Sequence, residues 1–101
     1  MGNQFSVKDK VVVVTGGGGI LCGTMAKALG AEGAKVAILD LSEAAATKVA
    51  DEIKARGGAA IPVACNVLDK PSIEKARDKV LAAFGRVDVL VNGAGGNKKE
   101  A

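Results

Sequence analysis

Runs of apolar residues, each bounded by glycine or polar residues, alternate along this chain with segments of helical periodicity. The first run is four valines, residues 11–14. Successive β-branched residues are typical of a strand that is buried on both faces of a parallel sheet. Three later runs have a similar character. The pattern predicts four strands, at residues 10–14, 35–40, 59–65 and 87–91.

Between these runs the apolar positions recur every three or four residues, which predicts three helices. The first covers residues 20–32 and ends at Gly33, the second starts after the N-cap residue Ser42, and the third starts after Asp69 and ends at Gly85. Their apolar faces are predicted at Leu21, Met25 and Leu29, at Ala45, Val49 and Ile53, and at Ile73, Ala76, Val80 and Phe84.

Strict alternation of strands and helices predicts an α/β fold with a parallel sheet and right-handed crossovers. The expected architecture is a Rossmann-like, truncated doubly wound β-α-β-α-β-α-β fold with strand order 3-2-1-4. This order places the third strand at an edge, where its Pro62 is tolerated. We expect a lead-in at residues 1–9, one domain at 10–96 and a polar tail at 97–101.

Composition narrows the function classes. The chain has 101 residues, a net charge of +3 and only two aromatic residues, both Phe. It has no basic stripe with interleaved aromatics, so we do not expect it to bind nucleic acid. No apolar run approaches the length of about 18 residues that predicts a membrane helix. Cys22 and Cys65 lie far apart and histidine is absent, which argues against a zinc site. We expect two small buried thiols in a reducing cytoplasm.

A glycine run follows the four valines directly and is the main candidate for chemistry. Residues 16–19 are all glycine, and a strand, a glycine turn and a helix together present backbone N–H groups to a phosphate. The alternative is a turn whose glycines serve packing only. A P-loop is a third interpretation, which fails because no lysine stands between Gly18 and Gly23.

Asp40 ends the second strand at the distance from the glycines expected for a dinucleotide site. Its carboxylate can accept hydrogen bonds from both adenosine ribose hydroxyls and would repel a 2′-phosphate, which favours NAD over NADP. The alternative is that Asp40 only helps to begin the second helix, although Ser42 already supplies that cap.

Three further polar positions follow or interrupt strands. Asn66 and Val67 could flank an adenine ring, although asparagine is common at strand ends. Asn92 has a structural interpretation, in which its side chain holds neighbouring backbone. Asp88 is expected to pair with a lysine or a backbone N–H rather than to act in catalysis.

Taken together, these residues resemble the short-chain dehydrogenase/reductase family from about residue 8 to residue 96. The segments that carry the resemblance are residues 13–19, 28–39, Asp40, Asn66-Val67 and 87–95. The resemblance implies that residues 16–21 surround the cofactor pyrophosphate, that Asp40 binds the adenosine ribose, that Asn66-Val67 flanks adenine, and that residues 92–95 line the nicotinamide-side ribose. The cofactor-binding residues predicted in this way are Gly16, Gly18, Gly19, Ile20, Leu21, Asp40, Leu41, Asn66, Val67, Asn92, Ala94 and Gly95.

The chain also departs from the family pattern. Ile20 and Cys22 stand where the family has glycines, Asn66 replaces an aspartate, and Gly93 replaces a frequent second asparagine. The segment from Gly16 to Gly23 is similar to that of a subgroup assigned to sugar-acid oxidation, such as mannonate or fructuronate oxidoreductases.

The family's catalytic Ser, Tyr and Lys belong to a region that follows the resembling segment, and this chain contains no Tyr. The leading hypothesis is therefore the cofactor-binding part of such an enzyme, with no catalytic residue of its own and with self-association through an uncovered sheet face or edge. The alternatives are a minimal folding unit without ligand affinity, and a full enzyme of which only this part is represented.

Overall fold

The structure is a computed structural model that describes residues 7–16 and 18–93. Four strands and three helices alternate in this part of the chain. They are β1 (Val11–Thr15), α1 (Ile20–Ala31), β2 (Lys35–Asp40), α2 (Glu43–Ala55), β3 (Ala59–Ala64), α3 (Lys70–Phe84) and β4 (Val89–Asn92).

The four strands form one parallel sheet in the order β3-β2-β1-β4, which confirms the predicted topology. Val14 of β1 lies opposite Ile38 of β2 on one side and opposite Val91 of β4 on the other. Pro62 lies in the edge strand β3, as predicted. The chain builds the sheet outwards from β1 to β3 and then crosses to the other side of β1 to add β4. At such a change of direction a crevice opens between the carboxyl ends of the two strands, here β1 and β4.

The alternating valines of β1 contribute to two separate apolar layers. Val12 and Val14 pack with Ile38 and the buried residues of α2 on one face of the sheet. Val11 and Val13 pack on the opposite face with Val80 of α3. All four valines are buried, as the unbroken run predicts.

The buried face of α1 differs from the predicted one. Leu21 is 84% exposed and Met25 39% exposed, whereas Gly23, Ala26 and Gly30 are buried. These small residues let α1 approach its neighbours closely, and a Cβ on Gly30 would stand 2.7 Å from Cγ2 of Ile53. The prediction was therefore wrong for Leu21 and Met25, whereas Leu29 is partly buried and packs against the core. Ile73 of α3, predicted to be buried, is likewise exposed.

The boundaries of the elements match the prediction best where a capping residue marks them. Ser42 caps α2 by accepting a hydrogen bond from the N–H of Ala45 at 3.2 Å, and Gly85 ends α3 with a φ of +84°. Asp69 occupies the N-cap position of α3, but its side chain makes no capping hydrogen bond within the described residues. β4 begins two residues later than predicted, so Asp88 precedes the strand.

Membrane-spanning helices and metal-binding clusters are both absent from the described residues. None of their helices combines the length and the apolar character that crossing a bilayer needs. No group of three or more His, Cys, Asp or Glu side chains among them is arranged to hold a metal ion.

Candidate functional site

The glycine turn connects β1 to the N-terminus of α1 at the carboxyl edge of the sheet. Gly16 has a φ of +69°, a conformation that favours glycine, and the N–H of Gly19 donates to the carbonyl of Gly16 at 3.1 Å. Gly19 is the N-cap of α1 and supplies no side chain to cap it, and the first turn carries no acidic residue. The first N–H groups of a helix have no partner within it, so this helix end favours an anion.

The carboxylate of Asp40 contacts the glycine turn directly. Its Oδ2 accepts a hydrogen bond from the N–H of Gly18 at 2.9 Å, and its Oδ1 accepts one from the N–H of Ser42, also at 2.9 Å. The structure thus brings Asp40 and the turn to the same rim of the sheet. The Ser42 contact shows that Asp40 also orders the entry to α2, as the structural interpretation of this residue expects.

Packing restricts position 18 to glycine. A Cβ at this position would stand 2.6 Å from Cβ of Ala45 and 2.9 Å from Oδ2 of Asp40. The turn therefore lies against the start of α2, close to the carboxylate. The sequence predicts Ala45 only as part of the apolar face of α2, and no local pattern marks its contact with the turn.

At the base of the crevice, hydrogen bonds of the Thr15 side chain join the carboxyl ends of β1 and β4. The hydroxyl of Thr15 lies 2.9 Å from Oδ1 of Asn92 and 3.3 Å from the carbonyl of Val91, and it accepts from the N–H of Gly93 at 3.1 Å. Asn92 thus has a structural contact, and its partner within the described residues is the side chain of Thr15 rather than the predicted backbone. Thr15 was missed as a site-shaping residue, although its position between the valines and the glycines could have indicated it.

Asn66 orders the loop after β3. Its Oδ1 accepts from the N–H of Leu68 at 3.0 Å, and its own N–H donates to the hydroxyl of Ser72 at 2.9 Å. This is the strand-end role common for asparagine. Val67 is partly buried against the α3 side of the core.

The remaining predicted site residues divide into two groups. Ile20, Leu21 and Leu41 lie at the same rim and are strongly exposed. Ala94 and Gly95 lie outside the described residues.

Asp88 lies at the opposite, amino edge of the sheet and is bound to backbone, as expected. Its Oδ2 accepts from the N–H of Val11 at 2.8 Å and from Nε of Arg86 at 2.9 Å. The hydrogen bond from Val11, aided by the Arg86 guanidinium and opposed by burial, lowers the pKa of Asp88 below its usual range. The expected lysine is replaced by an arginine.

Residues 10–101 match the model of the short chain dehydrogenase family. The chain belongs to this family. The match confirms the resemblance drawn from the glycine turn, Asp40 and the end of β4, and it covers most of the chain.

Individual members of the short chain dehydrogenase family show the same relation. The chain is 49% identical over 96 residues to the uncharacterized oxidoreductase UxuB of Bacillus subtilis, covering 95% of this chain and 34% of that protein. It is 38% identical to the D-threitol dehydrogenase of Mycolicibacterium smegmatis, covering 91% of this chain and 35% of the relative. The chain therefore spans about a third of the length of the curated relatives it matches.

Solved structures of this family superpose closely. A protein described as a D-mannonate oxidoreductase from Haemophilus influenza, solved with bound NAD, has a TM-score of 0.87 and 43% identity over 92% of this chain and 33% of its own. A metagenomic short-chain oxidoreductase in complex with NADP has a TM-score of 0.77 and 36% identity over 84% of this chain and 38% of its own. The fold of this chain is thus the Rossmann-like fold of its family.

Proposed function

We propose that the chain binds a nicotinamide dinucleotide across the carboxyl edge of its sheet, as the cofactor-binding part of an oxidoreductase. The observation that carries this proposal is the contact between the Asp40 carboxylate and Gly18, beside the open N-terminus of α1. A helix end that favours an anion and a carboxylate that can accept hydrogen bonds from hydroxyl groups then lie next to each other. This is the arrangement that a pyrophosphate and its neighbouring ribose need. The NAD and NADP bound to the two solved relatives support the same cofactor class.

Each predicted residue has a role in this arrangement. The N–H groups of Ile20 and Leu21, in the first turn of α1, face the pyrophosphate, with Gly16, Gly18 and Gly19 allowing its close approach. Asp40 accepts from the ribose hydroxyls, because a carboxylate has about four acceptor positions and the two backbone donors use only two of them. Leu41, Asn66 and Val67 flank the adenine, and residues 92–95 line the nicotinamide-side ribose.

We further propose a preference for NAD over NADP. The negative charge of Asp40 opposes a 2′-phosphate at the position where the ribose hydroxyls bind. The Asp40→Ala variant tests this role. NAD binding should weaken by roughly tenfold, the loss expected for hydrogen bonds to a charged group, and discrimination against NADP should fall.

Titration calorimetry with NAD and with NADP gives both quantities, and Asp69→Ala is the control because it removes an aspartate that lies before a different helix, α3. Saturable heat with NAD supports the proposal. No heat and no thermal protection up to millimolar NAD would instead favour the alternative, a folding unit without ligand affinity. An unchanged NADP-to-NAD ratio in Asp40→Ala would overturn the role of Asp40.

Hydride transfer is not proposed for this chain alone. It contains neither Tyr nor His, two common acid–base side chains, and it spans a third of the relatives' length. A sugar acid is the substrate class we propose for the whole oxidoreductase, supported by the segment from Gly16 to Gly23 and by the name of the relative with bound NAD. The free thiols of Cys22 and Cys65 support a cytoplasmic location.

We also propose that the chain self-associates through the face and edge beside β4. Among the described residues α3 alone covers this face, and no strand pairs with the outer edge of β4. An apolar cavity of about 360 Å³ opens between α3 and the sheet, lined in part by Val13, Leu39 and Leu90. Apolar surface and free strand edges both favour association.

A further inference from the structure

Cys22 and Gly93 compete for one space at the crevice between β1 and β4. Cys22 lies in the first turn of α1, and Gly93 directly follows β4. A Cβ placed on Gly93 would overlap Sγ of Cys22 and would stand 2.9 Å from the carbonyl oxygen of Thr15. The thiol therefore occupies the position that any larger residue at 93 would need.

The backbone of Gly93 is held in place and cannot easily yield. Its N–H donates to the carbonyl of Thr15 at 3.2 Å and to the Thr15 hydroxyl at 3.1 Å. Cys22 is partly buried and packs against the apolar layer that contains Val14. Both partners of the contact are thus tied to β1, one through hydrogen bonds and one through packing.

We propose that Cys22 is a positioning residue, whose thiol packs in front of Gly93 and sets the distance between the first turn of α1 and the chain leaving β4. We call the first turn of α1 and Gly93 the two walls of the crevice. A smaller residue at position 22 leaves a gap between the walls, and a larger residue at position 93 pushes them apart. The pair is therefore coupled, and each residue determines which side chains the other position accepts.

A consequence for ligand binding rests on the proposed function. The first turn of α1 is the proposed pyrophosphate site, and the chain after β4 is the proposed wall at the nicotinamide side. A change in their separation alters how well one dinucleotide spans both. Cys22 acts here by holding backbone in place, without itself contacting the cofactor.

The coupling is tested by a double-mutant cycle read out as thermal unfolding, which needs no ligand. Gly93→Ala should lower Tm by about 5 °C or more, as overpacking of a tight site does. Combined with Cys22→Ala the loss should be smaller, because the new Cβ would stand 3.6 Å from Cβ of residue 22, an ordinary contact. Some loss should remain from the Thr15 carbonyl.

The result that would overturn the coupling is additivity, with Gly93→Ala lowering Tm by the same amount in both backgrounds. This outcome is independent of NAD. A chain that shows the coupling but binds no dinucleotide would contradict the proposed function and still support the coupling of Cys22 and Gly93.

The effect on the crevice is tested by NAD titration of three single variants. Cys22→Ala should raise the Kd for NAD by about threefold or more, within the range of coupling between contacting residues. Cys22→Ser, which keeps the size of the side chain, should restore most of the affinity. Cys65→Ala is the matched control, because Cys65 is buried on the opposite face of the sheet and should change Tm but not the Kd. Equal Kd changes in Cys22→Ala and Cys65→Ala, or no rescue by serine, would overturn the positioning role.

Discussion

At the scale of single residues, Asp40 combines two kinds of contact in one carboxylate. One oxygen holds the glycine turn through Gly18 and the other holds the entry to α2 through Ser42. Because the carboxyl ends of parallel strands share an edge, the proximity of Asp40 and the glycines was predictable from the sequence. The contact of Gly18 with Ala45 was not, because it depends on how closely α2 approaches the turn.

Alanine substitutions in the glycine turn should show whether packing against Ala45, rather than the flexibility of the turn, restricts position 18. Gly18→Ala places a Cβ 2.6 Å from Cβ of Ala45, so the free energy of unfolding should fall by about 1–3 kcal/mol. Gly19→Ala is the matched control, since its Cβ would meet only the Gly16 carbonyl among the described residues, at 3.4 Å, and its φ of −76° suits any residue. Urea unfolding measures both. Equal losses in the two variants would show that the contact with Ala45 does not restrict position 18.

At the scale of elements, the interior strands were easier to predict than the helix faces. The bounds of β2 were predicted correctly because Gly33 and Ser42 flank an unbroken apolar run. The packed face of α1 was not predicted correctly. Hydropathy ranks glycine and alanine below leucine, yet these small residues form the buried face because they let the helix approach its neighbours closely. β4 begins late because the side chain of Asp88, rather than a strand carbonyl, accepts the N–H of Val11.

The Asp88 contact gives the junction of β1 and β4 a dependence on pH. The folded-state pKa of Asp88 lies below its unfolded value, so the ionised carboxylate stabilises the fold above the unfolded pKa. This stabilisation should disappear as the pH falls below about 4 and through the folded pKa. Asp88→Asn should therefore flatten the acid limb of a plot of stability against pH.

The control for this experiment is Asp78→Asn, which removes an exposed carboxylate of α3. Urea unfolding between neutral and acid pH measures the slope for each variant. An acid limb as steep in Asp88→Asn as in the unsubstituted chain would show that the hydrogen bond from Val11 does not depend on the charge.

At the scale of the whole molecule, the two faces of the sheet are covered unequally. α1 and α2 pack against one face, and α3 packs against the other beside the open cavity. This asymmetry was predictable from the order of the elements, because successive crossovers in a doubly wound sheet change face at the switch point. The shape and lining of the cavity depend on how α3 packs against the sheet and were not predictable from the sequence.

Self-association should depend on the β4 side of the molecule. Leu90 is 63% exposed beside the free edge, and Leu90→Lys should weaken association by about fivefold or more, since lysine on an edge strand opposes pairing. Leu68→Lys is the matched control, with a leucine that is 92% exposed in the loop after β3. Sedimentation over a range of concentrations measures both. A strictly monomeric chain at high concentration would contradict the proposal, as would equal effects of the two substitutions.

The most direct test of the dinucleotide site is an NMR titration of the ¹⁵N-labelled chain with NAD. The amide signals of Gly18, Gly19 and Ile20 should move progressively as NAD is added, because the pyrophosphate and ribose bind there. Those of Gly33 and Gly57, at the amino edge of the sheet, should stay in place. Movement of Gly33 and Gly57 with a static glycine turn, or no movement anywhere at millimolar NAD, would contradict the account.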